Sequence, residues 1–300
     1  MAGLACGGVA VGGCGGASDP APDAGLRQPR TLGRGRGRVW VGHSGDPASA
    51  LRAAVAAAGG LGFIPEGGHV VLKPNVAWSR NPQQAANTDP RILAAMIALC
   101  REAGAGKITV FEHTIDRPSE QVLAVSGIAA AARGAGADLV YTTAERDFVP
   151  VAVTRGKLLT RDTLARTVRD ADVFINMPKA KHHSQTGLTL GLKNLMGVIF
   201  NRQAWHSGPD LHQYIADYAT AVPIDMTVMD ASRILLTNGP KGPGKTREPN
   251  EVIVSFDPVA ADAYACGLFG LSPSDVAYVA RAGELGLGES DPANIAIERA

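Results

Sequence analysis

Short apolar segments rich in β-branched residues alternate with longer amphipathic segments from Val39 to the end of the chain. The short segments have the length of strands, and the longer ones repeat Ala and Leu at the three- and four-residue spacing of a helix. This alternation is typical of βαβ units. It therefore predicts an α/β fold with a mostly parallel or mixed sheet flanked by helices, with room for a small inserted lobe.

The pattern also gives the bounds of the predicted elements. The predicted strands are Val39–His43, His69–Lys73, Lys107–Phe111, Leu139–Thr142, Val173–Met177, Met226–Met229 and Glu251–Phe256. The predicted helices are Pro47–Ala58, Pro90–Ala103, Ser119–Ala132, Arg161–Asp170, Leu188–Ile199, Asp210–Thr220 and Val259–Leu268.

Residues 1–38 do not share this pattern, and we predict that they form a disordered leader before an α/β domain at residues 39–300. They are rich in Gly, Pro and Arg and show neither a helical nor a strand period. The segment Val11–Cys14 resembles a bacterial lipoprotein cleavage site, without the basic segment that normally precedes one. Two interpretations stay open: a truncated export or lipoprotein signal, which gives an extracytoplasmic or lipid-anchored protein, or an irregular N-terminus on a cytoplasmic one.

Composition excludes several classes of protein. The chain has 29 Lys and Arg against 28 Asp and Glu, a net charge of +1, and so lacks the basic excess of a nucleic-acid binder. No apolar run reaches the roughly 18 residues of a transmembrane helix. The cysteines, Cys6, Cys14, Cys100 and Cys266, form no Cys-x-x-Cys pair, so we expect no iron–sulfur cluster from this chain.

Polar side chains follow several of the predicted strands. Ligands of open α/β sheets bind beyond the carboxyl ends of the strands, where such side chains converge. Lys73 and Asp230 are therefore predicted to be catalytic, and Asn75 is predicted to bind substrate. Asp257 belongs to the same set if its strand is parallel to the others. Glu112 has the simpler explanation of a strand end that meets solvent.

Residues 176–200 contain the densest group of candidates. Lys179, Lys181 and Lys193 are close in sequence, and the last of these lies in an otherwise apolar helical segment beside Asn194. A lysine in that setting must extend to solvent, pair with a carboxylate or face a cleft. We predict that Lys179 and Lys193 are catalytic and that Lys181 and Asn194 bind substrate.

Thr186 and Gly187 are predicted to open the helix that contains Lys193. Backbone N–H groups at the start of a helix attract carboxylates and phosphates. We therefore assign both residues to substrate binding.

Several histidines are clustered just after these lysines. His182, His206 and His212 are candidate ligands of a divalent metal ion, although their spacing matches no standard zinc motif. Proton transfer, substrate hydrogen bonding and purely structural roles are the alternatives.

Residues 239–246 match the P-loop pattern G-x-x-x-x-G-K-T. A true P-loop follows a strand directly and opens a helix, whereas a strand is predicted to follow this segment. Its prolines also lack the amide donors that a phosphate cradle needs. We interpret it as a Gly/Pro loop that could cover a cleft.

Together, several of these segments resemble the DUF362 family, a domain of unknown function, over about residues 39–285. The segments that carry the resemblance are Lys73–Asn75, Asn87–Pro90, Asn176–His182, Thr186–Gly187, Lys193–Gly197, Asp230 and Asp257–Asp262. The family name implies no activity. Its members are sometimes fused to iron–sulfur modules, and many carry twin-arginine export signals. Because this chain has no cysteine cluster, redox chemistry would need an external electron donor.

Two hypotheses of different classes follow. In the first, the chain is an enzyme that acts on a small anionic molecule, a carboxylate or a phosphate, in a cleft lined by Lys and His, with a redox link left open. In the second, it is an extracytoplasmic lipoprotein that binds an anion without transforming it. Clustered histidines beside an aspartate favour the enzyme.

Overall fold

The computed structural model describes residues 26–300. Its main sheet has 11 strands, and a separate sheet has two. The strands of this part of the chain are β1 (Arg38–His43), β2 (His69–Pro74), β3 (Lys107–Glu112), β4 (Asp138–Tyr141), β5 (Phe148–Ala152), β6 (Arg161–Ala165), β7 (Val173–Met177), β8 (Lys179–His183), β9 (Gly187–Thr189), β10 (Met226–Leu235), β11 (Thr246–Arg247), β12 (Glu251–Ser255) and β13 (Ala296–Arg299).

The main sheet is mixed. Its order is β13-β1-β12-β10-β7-β2-β3-β4, with β11 and β8 paired to β10, and β9 paired to β8. Strands β10, β7, β2, β3 and β4 are parallel, whereas β12 is antiparallel to both of its neighbours. This mixed sheet, with helices on its faces, confirms the predicted fold class.

Helices pack on both faces of the sheet. They are α1 (Pro47–Ala57), α2 (Pro90–Glu102), α3 (Ser119–Val125), α4 (Ile128–Gly134), α5 (Arg166–Arg169), α6 (Gly191–Asn194), α7 (Arg202–His206), α8 (Leu211–Ala219), α9 (Pro258–Gly267) and α10 (Ala277–Glu284). Side chains of a strand alternate between the faces of its sheet. Accordingly, Val70 and Leu72 pack in the core under α1 and α2, while Val71 belongs to the opposite core with α8, α9 and α10.

Two predicted helices differ from the structure. Residues 161–165 of the predicted helix Arg161–Asp170 form β6, because they pair with β5 in an antiparallel sheet that packs on the main core. Tertiary pairing here outweighs local helical preference. The predicted helix Ser119–Ala132 is interrupted at Gly127, whose φ of 77° is a left-handed conformation that glycine adopts easily.

The end of the predicted leader also differs from the structure. Residues 26–38 lie against the domain, and Arg27 pairs with the fully buried carboxylate of Asp225. That carboxylate also accepts the backbone N–H groups of Arg30 and Phe174, at 2.6 and 2.7 Å. The leader prediction for residues 1–25, with its signal and lipoprotein interpretation, lies outside the described residues.

Within residues 26–300, no helix combines the length and the apolar character that crossing a membrane requires.

Removal of the Arg27 guanidinium by Arg27→Ala should lower the free energy of unfolding by about 2 kcal/mol or more, because the buried Asp225 charge loses its partner. Arg30→Ala is the matched control. Its guanidinium contacts the half-exposed carboxylate of Asp172 at 3.7 Å, so the loss should stay below about 1 kcal/mol. Urea unfolding measures both variants, and equal losses would contradict the structural role of Arg27.

Candidate functional site

A cavity of about 70 Å³ lies at the carboxyl edge of β2 and β3, beside β8. We call it the lysine cavity. Its volume suits a molecule of only a few heavy atoms. Because β2 and β3 are parallel, the residues at their carboxyl ends meet at one edge of the sheet. Among the residues selected from the sequence, those that line the lysine cavity are Lys73, Asn75, Lys181, Lys193, Asn194 and His206.

Lys73 and Glu112 form a buried ion pair in the wall of the lysine cavity. Their Nζ and Oε1 atoms are 2.8 Å apart, and both side chains are almost fully buried. Burial lowers the pKa of Lys73, while the Glu112 carboxylate opposes this shift. Gly197 makes the pair possible, since a Cβ at this position would lie 2.7 Å from Lys73 Nζ. The ion pair holds the Lys73 side chain in place, and the Glu112 carboxylate neutralises its positive charge.

A chain of side-chain amides orders the wall beside this pair. Asn75 Nδ2 donates to Asn194 Oδ1 at 2.8 Å, and Asn194 Nδ2 donates to Asn176 Oδ1 at 2.8 Å. Lys181 Nζ donates to Asn75 Oδ1 at 2.6 Å and also to the carbonyl of Ala86. Burial, and then the charge of Lys179, lowers the pKa of Lys181 to about 7. The acceptors that the described part of the chain offers to Lys181 are therefore both neutral.

Lys193 lies in the lysine cavity on the short helix α6. Its Nζ atom is 3.3 Å from Met196 Sδ, a weak acceptor. Within residues 26–300 it has no ion pair and no oxygen acceptor. Burial lowers the pKa of Lys193 to about 7. A substantial fraction of this amine is therefore neutral at physiological pH.

Two histidines line the lysine cavity with stacked rings, 6.3 Å between their centres. His183 Nδ1 accepts the Gln185 N–H, and burial, followed by the charge of Lys193, lowers the pKa of His183 to about 2. His206 Nδ1 donates to Gln185 Oε1 at 2.5 Å, which leaves Nε2 of the neutral ring as an acceptor. Burial and the charge of Lys193 also lower the pKa of His206.

Arg202 and Thr189 complete the polar lining. Within residues 26–300, Arg202 donates to the backbone carbonyl groups of His113 and Thr114, and burial lowers its pKa to about 10. The buried hydroxyl of Thr189 has no hydrogen-bond partner among residues 26–300. Buried polar groups are normally paired, so this hydroxyl beside the cavity is an unsatisfied group.

The lysine cavity therefore carries an excess of positive charge. Four cationic side chains line it in the described chain, and Glu112 is the one carboxylate. Since Glu112 is paired with Lys73, the remaining cations Lys181, Lys193 and Arg202 face the cavity without a carboxylate. This arrangement can hold a small anion, and its neutral amine can accept a proton or attack an electrophile.

Lys179 and Asp230 lie outside the lysine cavity. They form a buried ion pair at 2.7 Å, and Asp230 also accepts from Asp89 N and from both Ser232 N and Oγ. Lys179 lines a different depression, beside Arg91. The pairing of β8 with β10 changes register between Lys179 and Lys181, so two lysines on one strand reach different sites. The fully bonded Asp230 has the character of a structural anchor.

Thr186 and Gly187 do not open a helix and do not line the lysine cavity. Gly187 begins β9, and the Thr186 hydroxyl donates to the carbonyl of Leu188 at 2.9 Å. The predicted helix Leu188–Ile199 is divided into the end of β9, α6 and a 3₁₀ helix, Leu195–Val198. Thr189, two residues beyond Gly187, lines the cavity instead.

The predicted metal ligands are not brought together. His182 accepts from Gly239 N at 3.0 Å, and His212 stacks on Tyr278, while His206 lies beside His183. Among the residues that the structure describes, no group of three or more His, Cys, Asp or Glu side chains could hold a metal ion. Side chains alternate along β8, so His182 points away from the face that carries His183, which stacks on His206.

Asp257 is also absent from the site, because β12 is antiparallel to β10 and ends at the opposite edge of the sheet. Its carboxylate caps α9 by accepting from Val259 N and Ala260 N, and it also accepts from Gly37 N.

The Gly/Pro loop at residues 239–246 lies between β10 and β11 and contributes Pro240 to the cavity lining. Lys241 in this loop pairs with Asp116 at 2.9 Å. The loop leads into strand β11 and opens no helix as a P-loop must. Its role as a cover stays a prediction.

Sequence reasoning missed Glu112, His183, Thr189 and Arg202 as members of this site. The sequence explains Glu112 as a strand end that meets solvent, and it offers no reason to select His183. The alternation of Lys181 and His183 would have indicated a shared face if residues 179–183 had been interpreted as a strand. No local pattern marks Arg202, which reaches the cavity through the path of the chain between β9 and α8.

Comparison with known proteins identifies the family of this chain and supports its fold. Residues 70–267 match the DUF362 family, a domain of unknown function, and the chain belongs to this family. The chain is also similar to the thylakoid-associated protein sll1697 of Synechocystis sp., with 28% identity over 260 residues, which cover 81% of this chain and 76% of that protein.

The fold is similar to that of the lactate racemase apoprotein from Thermoanaerobacterium thermosaccharolyticum. The TM-score is 0.52 with 10% sequence identity, over 79% of this chain. The match spans 57% of the racemase chain. At this identity the likeness concerns the fold alone.

Lys193→Met should raise the free energy of unfolding at pH 7 by about 1–3 kcal/mol, because it removes a buried amine that has no carboxylate partner. The unfolded lysine keeps a pKa of 10.5, so between pH 7 and 10.5 the unfolded state binds more protons. The destabilisation that Lys193 causes in the native protein therefore falls as the pH rises through this window. The stability advantage of Lys193→Met over the unaltered protein should shrink accordingly.

Urea unfolding at pH 7 and pH 9.5 measures both effects. The exposed residue Lys245 supplies the control, because Lys245→Met should change neither value. A Lys193→Met protein that is less stable at pH 7, or an advantage that does not change with pH, would contradict this environment for Lys193.

Proposed function

We propose that this protein is an enzyme that acts on a small anionic molecule, a carboxylate or a phosphate, bound in the lysine cavity. The observation that carries the proposal is the group of three cations, Lys181, Lys193 and Arg202, that face one small cavity without a carboxylate partner in the described chain. A bound anion would supply the missing negative charge. It would also supply an acceptor for the unpaired Thr189 hydroxyl.

The titration of the lining groups favours catalysis over simple binding. A site that only holds an anion works best with lysines that stay charged, whereas burial lowers the pKa of Lys181 and of Lys193 to about 7. Groups that titrate near the working pH are efficient proton donors and acceptors. The Nε2 atom of His206, an acceptor in the neutral ring, adds a further group that can exchange a proton, and burial lowers the pKa of this imidazole.

In this proposal, Lys181 and Arg202 bind the anionic group, and Lys193 and His206 transfer protons or stabilise developing negative charge. Lys73 positions the wall through Glu112 and contributes little free charge. The redox link and the external electron donor stay predictions. The non-catalytic binding protein is the alternative that the experiments below separate from the enzyme.

Small carboxylates should bind more tightly at pH 6 than at pH 9. The anion favours protonated lysine, so the dissociation constant should rise above pH 7, by about tenfold per unit for each lysine that must be charged. Calorimetry with acetate, glycolate and lactate measures this, because their charge is constant over the range. Lys181→Met should weaken binding about tenfold or more, and Lys245→Met should not.

Binding that does not change with pH, or that Lys181→Met leaves intact, would contradict the proposed site. Catalysis is tested separately with the same acids in D₂O. Exchange of the hydrogen next to the carboxylate, followed by NMR and lost in Lys193→Met, would support the enzyme. Tight binding of the acids with no change in any of them would favour the non-catalytic alternative.

A further inference from the structure

The three lysines of the lysine cavity are in different chemical states. Lys73 pairs with a carboxylate at 2.8 Å, and Lys181 donates to an amide oxygen at 2.6 Å and to a backbone carbonyl. Lys193 contacts a thioether sulfur at 3.3 Å and no oxygen acceptor in residues 26–300. An ammonium group has three hydrogens to donate, so this environment favours its neutral form. The neutral amine is the nucleophilic form of lysine.

The surroundings of Lys193 are those of a site built to expose a nucleophile. Leu192 precedes Lys193 and Leu195 lies two residues after it, and both are buried. Between them, the side chain of Asn194 is hydrogen-bonded to the amides of Asn75 and Asn176, which fixes this part of the chain. The amine faces a cavity of about 70 Å³ that Lys181, Arg202 and Thr189 also line. A desolvated lysine beside other cations is the standard means by which proteins activate an amine.

We propose that Lys193 Nζ forms a Schiff base with the carbonyl carbon of a small 2-oxo acid, whose carboxylate is held by Lys181 and Arg202. This inference rests on the proposed function, since it names the substrate class of the same cavity. The 2-oxo acid combines the two features that the lining requires, an anionic group for the cations and an electrophilic carbon next to it for the amine.

The step balances without an oxidant or a reductant. Lys193 Nζ attacks the carbonyl carbon, a C–N bond forms as the C=O π bond breaks, and the carbonyl oxygen becomes a hydroxyl group by taking up a proton from water. Loss of this hydroxyl as water, with a second proton, leaves the protonated imine. His206 Nε2 can accept the proton that the attacking nitrogen releases and return it to the leaving hydroxyl group. The Thr189 hydroxyl can donate to the carbonyl oxygen.

The test is reductive trapping with glyoxylate, the smallest 2-oxo acid. The full chain is incubated with glyoxylate and sodium cyanoborohydride at pH 7, and the labelled residue is located by peptide mass spectrometry. We expect one reduced carboxymethyl group per chain, at Lys193, with labelling about tenfold or more above that of any exposed lysine. Lys193→Arg keeps the charge and should abolish the label, whereas Lys245→Met should label as the unaltered protein does.

The outcomes separate this inference from the proposed function. Glyoxylate that stabilises the protein against heat without labelling Lys193 would overturn the Schiff base and leave the anion site standing. Labelling that is spread evenly over the exposed lysines would also overturn the Schiff base and leave the anion site standing. If glyoxylate neither stabilises the protein nor labels Lys193, the result contradicts both the Schiff base and the proposed anion site. If Lys193→Arg fails to fold, the position of the label in the unaltered protein decides the matter alone.

Discussion

Burial of cationic side chains at the carboxyl edge of the sheet is the constraint that organises the lysine cavity. Transfer of a lysine or arginine from water into a protein interior costs several kcal/mol unless a partner offsets it. The fold offsets part of that cost with the Glu112 carboxylate, with side-chain amides and with backbone carbonyl groups. Lys193 has none of these partners in the described chain, and burial therefore lowers the pKa of its amine to about 7.

Two other buried carboxylates of the described chain, by contrast, have cationic partners. Lys179 is bound to Asp230, which accepts two backbone N–H groups and a hydroxyl as well, and Asp225 accepts Arg27 and two backbone N–H groups. These carboxylates are paired, whereas Lys193 is left without a partner in the described chain. The unpaired amine destabilises the protein at a position that lines the lysine cavity. Such local instability is a common cost of a functional site.

Much of the fold follows from the sequence, because hydrophobic periodicity is a local signal that survives folding. Strand Val173–Met177 matches its prediction, and α2 differs by a single residue at its end. The failures involve contacts between distant segments. β6 exists because it pairs with β5, and β12 is antiparallel, which moves Asp257 to the wrong edge for a site role. Lys73 and Lys193 could be selected from chemistry alone, whereas the separation of Lys179 from Lys181 depends on a register shift that no sequence pattern reports.

The pKa of the Lys193 amine in the ligand-free protein tests the central claim most directly. NMR titration of protein labelled with ¹³C at the lysine side chains gives this value, with the Lys193 resonance assigned from its absence in Lys193→Met. The structure predicts a pKa of about 7, caused by burial. A pKa near the ordinary lysine value of 10.5 would show that the amine is solvated or paired, and would contradict this account of the site.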